Sequence, residues 1–135
     1  WILVQQRLDI TVFFDYNFAT YETGFGDQTN FWIGLMKIYD LTKNKNYKIR
    51  FEMQSVNSNW YSADYSYFYL DPPSTGYVLQ LGTYIGDAGD AIRLAAPKGA
   101  VVGYPFYTSE TTPANCRSST NGGWWVNYCT MSNLN

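Results

Sequence analysis

Both cysteines of this 135-residue chain lie within its last twenty-one residues, 115–135, which read NCRSSTNGGWWVNYCTMSNLN. Cys116 and Cys129 are the only cysteines, so a single intramolecular disulfide is the one pairing the chain allows. Closing a loop over this 13-residue separation stabilises a fold by about 3 kcal/mol in the chain-entropy model. A Gly-Gly turn and a Trp-Trp pair lie inside that loop. The sequence therefore predicts a disulfide-closed aromatic loop at this end of the chain.

The composition excludes several classes of function. The chain has no histidine, which removes the commonest general base, the usual zinc ligand and any Ser-His-Asp triad. Nine basic residues oppose eleven acidic ones, and no basic run exceeds Lys43-Asn44-Lys45, so a nucleic acid or an anionic membrane is not an expected partner. No apolar stretch approaches the ~20 residues that span a bilayer. We therefore expect a protein that is not an enzyme and does not insert into membranes.

The cysteine usage also indicates a compartment. A paired cysteine in a chain rich in Tyr, Trp and Gly is typical of an oxidising environment, and hence of secretion. The chain begins with Trp1 and shows no signal peptide. We interpret it as an internal piece of a longer secreted, extracellular chain.

Periodicity and turn residues predict a mixed α+β chain. One short helix is expected to be capped by Asp15 and stopped by Gly24, and a second to open at residues 30–32 and end at 43–46. The strongest predicted strand is 48–53, in which apolar and charged residues alternate. Further β-prone runs cover residues 1–7, 61–70 and 77–81, and regular periodicity is lost from residue 91 onward.

Two acidic stretches are candidates for cation binding. Asp87 and Asp90 lie in the Gly-rich segment 86–90, but their spacing matches no EF-hand loop, and turn capping is the favoured interpretation. Residues 109–112 offer the single carboxylate of Glu110 among hydroxyl groups. No pair of carboxylates has a spacing that indicates glycosidase chemistry.

Several blocks of the sequence resemble the fibrinogen C-terminal domain, the family of fibrinogen chains, ficolins, tachylectins, tenascins and angiopoietins. The match runs along essentially the whole chain in order and spacing. It is carried by residues 1–7 (WILVQQR), 21–27 (YETGFGD), 31–35 (FWIGL), 37–42 (KIYDLT), 81–86 (LGTYIG), 88–90 (AGD), 122–125 (GGWW) and 129–135 (CTMSNLN).

The resemblance implies an antiparallel sheet with short helices packed on it, followed by a loop-rich, disulfide-closed ligand subdomain. In that arrangement residues 1–95 form the central sheet-and-helix part, and residues 96–135 begin the calcium- and ligand-binding loops. Family domains have further segments before and after such a stretch. The chain is thus expected to be a central piece that folds poorly alone and that joins homo-oligomers through regions outside it.

The resemblance also implies where calcium would bind. The two acidic positions of the family's loop fall on Thr108 and Glu110, and its backbone carbonyls on Thr112 and Ala114. Calcium takes six to eight oxygen ligands and gains affinity from their charge. With one carboxylate in place of two, calcium binding remains possible but is expected to be weak or lost.

The ligand pocket of acetyl-binding members is implied beside that loop. There a cis peptide before the second cysteine, here Tyr128–Cys129, aims the N–H groups of Cys129 and Thr130 at an acetyl carbonyl. The family's aromatic wall residue falls on Thr120, and its usual histidine on Thr130. The resemblance therefore implies that the backbone N–H groups can still face an acetyl group, while the side chains of Thr120 and Thr130 depart from the acetyl-binding pattern.

Two functions follow from the resemblance. The function we expect first is a secreted, lectin-like recognition protein of innate immunity that binds acetylated or other glycans. The other is an extracellular adhesion or signalling module that binds a protein partner and carries degenerate calcium and acetyl sites. The weak calcium loop at Thr108 and the lost pocket histidine at Thr130 favour the second, and the abundance of immune lectins in the family favours the first.

Overall fold

The computed structural model describes residues 1–93, 100–114, 116, 122–127, 129 and 132–135. These residues form an α+β fold of antiparallel sheets and short helices, as the sequence predicts. In chain order the elements are β1 (Gln5–Gln6), α1 (Phe18–Thr23), β2 (Phe25–Gly26), β3 (Phe31–Trp32), α2 (Leu35–Thr42), β4 (Tyr47–Gln54), β5 (Trp60–Leu70), a 3-10 turn (Pro73–Thr75), β6 (Leu79–Leu81), β7 (Tyr84–Gly86), β8 (Phe106–Tyr107) and β9 (Trp124–Trp125).

The main sheet is built on the long strand β5. One side of β5 pairs with β4, and the other side pairs with β6 and then with β7. The alternation predicted for 48–53 is confirmed, because Ile49, Phe51 and Met53 are half-buried while the residues between them are exposed. On β5 the inward positions Ala63 and Tyr65 are buried. Successive residues of a strand point to opposite faces, so this pattern gives the sheet one packed face and one solvent face.

The two helices begin later than the sequence suggested. Asn17, rather than Asp15, caps α1 by accepting the Thr20 N–H at 2.9 Å, and Gly24 ends the helix as predicted. Residues 31–32 form a strand instead of opening the second helix. Between that strand and α2 lies Gly34 with φ of 111°, a conformation that favours glycine and breaks helical periodicity.

Two β-strand predictions also need correction, and one short strand was not predicted. Of residues 1–7 only Gln5–Gln6 form a strand, which pairs with β3 in a small sheet of order β1-β3-β2. The run 77–81 contributes only Leu79–Leu81, because Tyr77 has a positive φ of 55° and ends the preceding turn. Tyr84–Gly86 form an additional short strand, which was not predicted and ends where the predicted turn segment 86–90 begins.

The packed face of the main sheet, both helices and the two C-terminal strands share one hydrophobic core. Its largest fully buried side chains include Tyr21 of α1, Leu35 and Ile38 of α2, Tyr65 of β5 and Trp124 of β9. Residues from positions 14 to 125 therefore meet in one cluster. The C-terminal loop region is thus tied directly to the core of the sheet-and-helix part.

Candidate functional site

The candidate site is the loop region that the disulfide closes. Cys116 and Cys129 are joined as the sequence predicted, and Cys116 is buried. Cys129 has a φ of 67°, in the left-handed region that non-glycine residues rarely adopt. Such conformations persist only where surrounding contacts enforce them, and they are concentrated at ligand-binding and switch segments.

The Gly-Gly pair before the tryptophans is required by close packing. A Cβ on Gly123 would lie 2.6 Å from the Phe106 ring and 2.8 Å from the Tyr21 ring. Gly122 has a positive φ of 81°, and a Cβ there would lie 3.0 Å from the Phe14 carbonyl oxygen. Any larger residue would therefore separate this segment from the core.

Tyr21 joins three distant parts of the chain. Its hydroxyl donates to the Phe14 carbonyl and accepts the Gly123 N–H at 2.9 Å, while its own carbonyl accepts from the Trp32 indole at 2.9 Å. Burial of the ring raises the pKa of the phenol well above its usual value, which keeps the hydroxyl protonated and able to donate. One side chain thus fixes the Gly-Gly turn to the N-terminal half of the core.

The Trp-Trp pair packs into the sheet side of the same cluster. The indole N–H of Trp125 donates to the Tyr77 carbonyl at 2.8 Å, and its ring meets the Phe106 ring edge-on. Trp124 is almost completely buried and approaches Phe51 of β4. Both tryptophans therefore hold the loop region to the scaffold, and neither presents a surface to a ligand.

We expect Tyr21→Phe to lower the free energy of unfolding by about 2 kcal/mol, because the Gly123 N–H and the Phe14 carbonyl would both lose a buried partner. Urea titrations of the two proteins measure this difference. Tyr16→Phe is the matched control, since Tyr16 is more exposed, and it should change stability by less than about 0.5 kcal/mol. Equal losses in both variants would contradict the role assigned to Tyr21.

The four residues predicted to bind calcium lie in and after a tight turn that follows β8. The Thr108 carbonyl accepts from the Thr111 N–H at 3.0 Å and from the Thr112 hydroxyl at 2.7 Å, and the Thr108 side chain is fully buried beside Thr111. Glu110 is exposed, and its Oε1 accepts the Phe18 N–H at 3.0 Å. Ala114 is exposed two residues before Cys116.

The oxygens of these residues are not oriented to coordinate a calcium ion. The oxygens of Thr108 point into the turn or into the core, and the one carboxylate caps the first turn of α1. Among the described residues no group of three or more Asp, Glu, Cys or His side chains converges on a common point. A hard cation that needs six to eight oxygens would have to displace this network.

The other predicted pocket residues can be placed only in part. Thr120, Tyr128 and Thr130 lie outside the described residues. Cys129 lies at the disulfide with the unusual backbone noted above. The acetyl pocket itself therefore stays a prediction.

The Asp87 and Asp90 segment has the structural role that the sequence favoured. Asp87 accepts the Ser62 N–H at 2.7 Å, which ties the turn to β5. Asp90 accepts from the Tyr65 hydroxyl at 2.9 Å and from the Arg93 N–H at 3.1 Å. Each carboxylate thus stabilises a turn next to the main sheet.

Sequence reasoning did not find the contact between Glu110 and Phe18. The two residues are separated by 92 positions, and neither carries a local signal for the other. A helix that begins at Phe18 would have been a hint, because its free N–H groups attract carboxylates, but the sequence analysis placed the cap at Asp15.

Comparison with known proteins agrees with this fold. The family model of the fibrinogen beta and gamma chains, C-terminal globular domain, matches residues 1–135. The chain belongs to the fibrinogen C-terminal domain family. It is 39% identical over 133 residues to mouse angiopoietin-related protein 2, a match covering 96% of this chain and 26% of that protein. The chain thus spans about a quarter of that curated relative.

Solved structures of family members superpose closely on this chain. The fibrinogen-like globe domain of human ANGPTL2 is 38% identical with a TM-score of 0.88, covering 97% of this chain and 60% of that one. Lamprey fibrin D-dimer complexed with the peptide Gly-His-Arg-Pro-amide is 31% identical with a TM-score of 0.89, covering 97% and 46%. The fibrinogen C-terminal fold expected from the sequence motifs is therefore confirmed.

Proposed function

We propose that this chain is part of a secreted, extracellular recognition module that binds a protein partner and is not an enzyme. The observation that carries the proposal is the turn at residues 108–112. There the one carboxylate of the family's calcium loop, Glu110, accepts a hydrogen bond from the Phe18 N–H at the start of α1. A lectin whose acetyl pocket depends on bound calcium needs carboxylate ligands in this loop, and the single carboxylate here already accepts a hydrogen bond from α1.

The relatives support the same choice. Angiopoietin-related proteins are prominent among the similar proteins, and the lamprey fibrin structure contains a peptide ligand. A folded domain with exposed loops on a rigid core suits recognition of a protein segment, because loops vary while the core positions them. The disulfide and the Tyr21 contacts supply that rigidity here.

A second candidate function is the acetyl-glycan lectin of innate immunity. Its support is the backbone at Cys129, whose positive φ lies where the family orients amide donors toward an acetyl group. The two candidates differ in what a binding surface must contain. A protein partner is destroyed by protease, whereas a glycan ligand competes with N-acetylglucosamine.

The test uses the tagged protein on cultured cells. We expect binding to be lost after the cells are treated with trypsin and to persist after enzymatic removal of their glycans. The same protein should pass through N-acetylglucosamine resin with calcium and with EGTA. Retention on the resin with elution by free acetate would replace the proposal by the lectin candidate.

We further expect the loop at residues 108–112 to keep its structure without calcium. Changing from EGTA to 2 mM calcium should raise the melting temperature by less than about 3 °C, because a site weaker than about 1 mM adds less than about 0.7 kcal/mol. A rise of 8 °C or more in the melting temperature would show a strong calcium site.

Variants of Glu110 test the same point from the side of the protein. Glu110→Ala should lower the free energy of unfolding by about 1 kcal/mol, because it removes the acceptor of the Phe18 N–H. Glu110→Gln keeps an acceptor and should cost less than half as much. If both variants instead lost the same calcium-dependent stabilisation, Glu110 would be a metal ligand.

A further inference from the structure

The outward face of the main sheet has a groove of about 230 Å³ beside the β4–β5 hairpin. Its floor is the small side chain of Ser62, at the outward position of β5 between Trp60 and Asp64. Phe51, which approaches Trp124, lies on the opposite face of β4. The groove is therefore a different surface from the disulfide-closed loop region.

Two carboxylates flank this floor. Glu52 is the register partner of Ser62 on β4, so it stands on one side. Asp87 stands on the other side, where it accepts the Ser62 N–H at 2.7 Å and donates its own N–H to the Ser62 carbonyl at 3.1 Å. Because neighbouring strands are about 4.8 Å apart, roughly 10 Å separates the two flanking backbones. That width accommodates one extended side chain.

The third wall is an ion pair that is already complete. Arg50 binds Asp64 through two hydrogen bonds, Nε to Oδ1 at 2.6 Å and Nη2 to Oδ2 at 2.7 Å. The hydrogen bonds from Arg50 hold the pKa of the Asp64 carboxyl below its usual range, so Asp64 stays charged. Arg50 also forms an ion pair with Glu52, but its Nη1 is 3.6 Å from Glu52 Oε1, which is longer than a good hydrogen bond.

The charge around the groove is therefore unbalanced. Among the described residues, one guanidinium faces three carboxylates. Within that part of the chain Asp87 has no cation at hydrogen-bond distance, and Glu52 has only the longer contact with the Arg50 guanidinium that Asp64 already binds. Lys48 shares the outward face but lies two residues before Arg50, beyond the Arg50–Asp64 pair. A neutral ligand would leave both carboxylates uncompensated, whereas a cation would complement them.

The fourth wall is an aromatic ring open to solvent. Trp60 is 61% exposed although it belongs to a strand of the main sheet. A guanidinium stacks on an indole face and offers a planar fork to carboxylates. The same sheet face already holds one such contact, with the Arg50 guanidinium 5.3 Å from the centre of the Trp1 ring.

We propose that this groove binds an arginine side chain of a protein partner, with Trp60 stacking on the guanidinium and Glu52 and Asp87 accepting from it. The groove is a second contact surface, independent of the disulfide-closed loop region. Exposed charge pairs contribute modestly, so a single arginine is expected to bind weakly and to add to contacts made elsewhere on the partner.

The test labels the tryptophans of the protein with 5-fluorotryptophan and follows the fluorine spectrum, in which the Trp60 signal is assigned from a Trp60→Phe variant. The probe is N-acetyl-Gly-Arg-Gly-amide. We expect it to shift the Trp60 signal saturably, and the shift to weaken as salt rises from 0.05 to 0.5 M. The citrulline peptide, which has the same shape without the charge, should leave the signal in place.

Charge-removing variants locate the interaction. Glu52→Gln with Asp87→Asn keeps the hydrogen-bond acceptors and should weaken peptide binding about tenfold. The control pair, Glu22→Gln with Asp40→Asn, removes the same charge from the two helices and should leave binding unchanged. Four results would each overturn the proposal. They are an unchanged spectrum with the arginine peptide, an equal shift with the citrulline peptide, equal binding in both variant pairs, and a Trp60 shift with N-acetylglucosamine instead. None of these results bears on the cell-binding test, because the variants leave the loop region intact.

Discussion

Gly123→Ala is expected to lower the free energy of unfolding by about 3 kcal/mol and the melting temperature by about 10 °C. The added methyl group would lie within 3 Å of both the Phe106 and the Tyr21 rings, and neither ring can retreat without disturbing the aromatic cluster. Denaturant titration of the variant beside the unchanged protein measures the loss.

Gly103→Ala is the matched control for this substitution. Gly103 has a positive φ of 82° but open space around its Cβ position, so alanine there costs only backbone strain of about 1 kcal/mol. Gly123 has no such backbone requirement. Equal losses in the two variants would contradict the packing explanation, because alanine at Gly123 would then cost no more than alanine at a position with open space.

Replacing both cysteines, Cys116→Ser with Cys129→Ser, is expected to lower the free energy of unfolding by about 3 kcal/mol. The disulfide closes a 13-residue loop, and its removal restores that much chain entropy to the unfolded state. Because the Tyr21 and Trp125 contacts remain, the core near β9 should still form.

The control for the disulfide uses reduction. Dithiothreitol should lower the stability of the unchanged protein by a similar amount and should not affect the double-serine variant. Loss of fluorescence from buried tryptophan in the double variant before any denaturant is added would contradict the expectation that the core outlasts the disulfide.

The sequence predicted those features that have a local cause or that follow from the number of residues of one type. Alternation along β4 reflects one packed face, and two cysteines can pair in only one way. The Gly-Gly-Trp-Trp motif identified the family, although its physical reason, the approach of Gly123 to Phe106 and Tyr21, became visible only in three dimensions.

The misplaced elements share one cause, which is that the tertiary fold outweighs local propensity. Phe31 and Trp32 have helix-compatible neighbours, yet pairing with β1 and β2 makes them a strand. Asp15 and Asn17 are both good helix caps, and no local pattern distinguishes them. The role of Glu110 and the groove around Ser62 arise from contacts between separate segments, which a linear pattern does not encode.

The contacts of Tyr21 also determine when the protein can finish folding during synthesis. The Gly123 N–H that binds the Tyr21 hydroxyl is 102 residues further along the chain. At about 5–20 residues per second a ribosome needs roughly 5–20 s to supply it. For that time the ring of Tyr21 and its aromatic neighbours remain exposed and open to aggregation, so the nascent chain should depend on a chaperone until Trp124 and Trp125 have emerged.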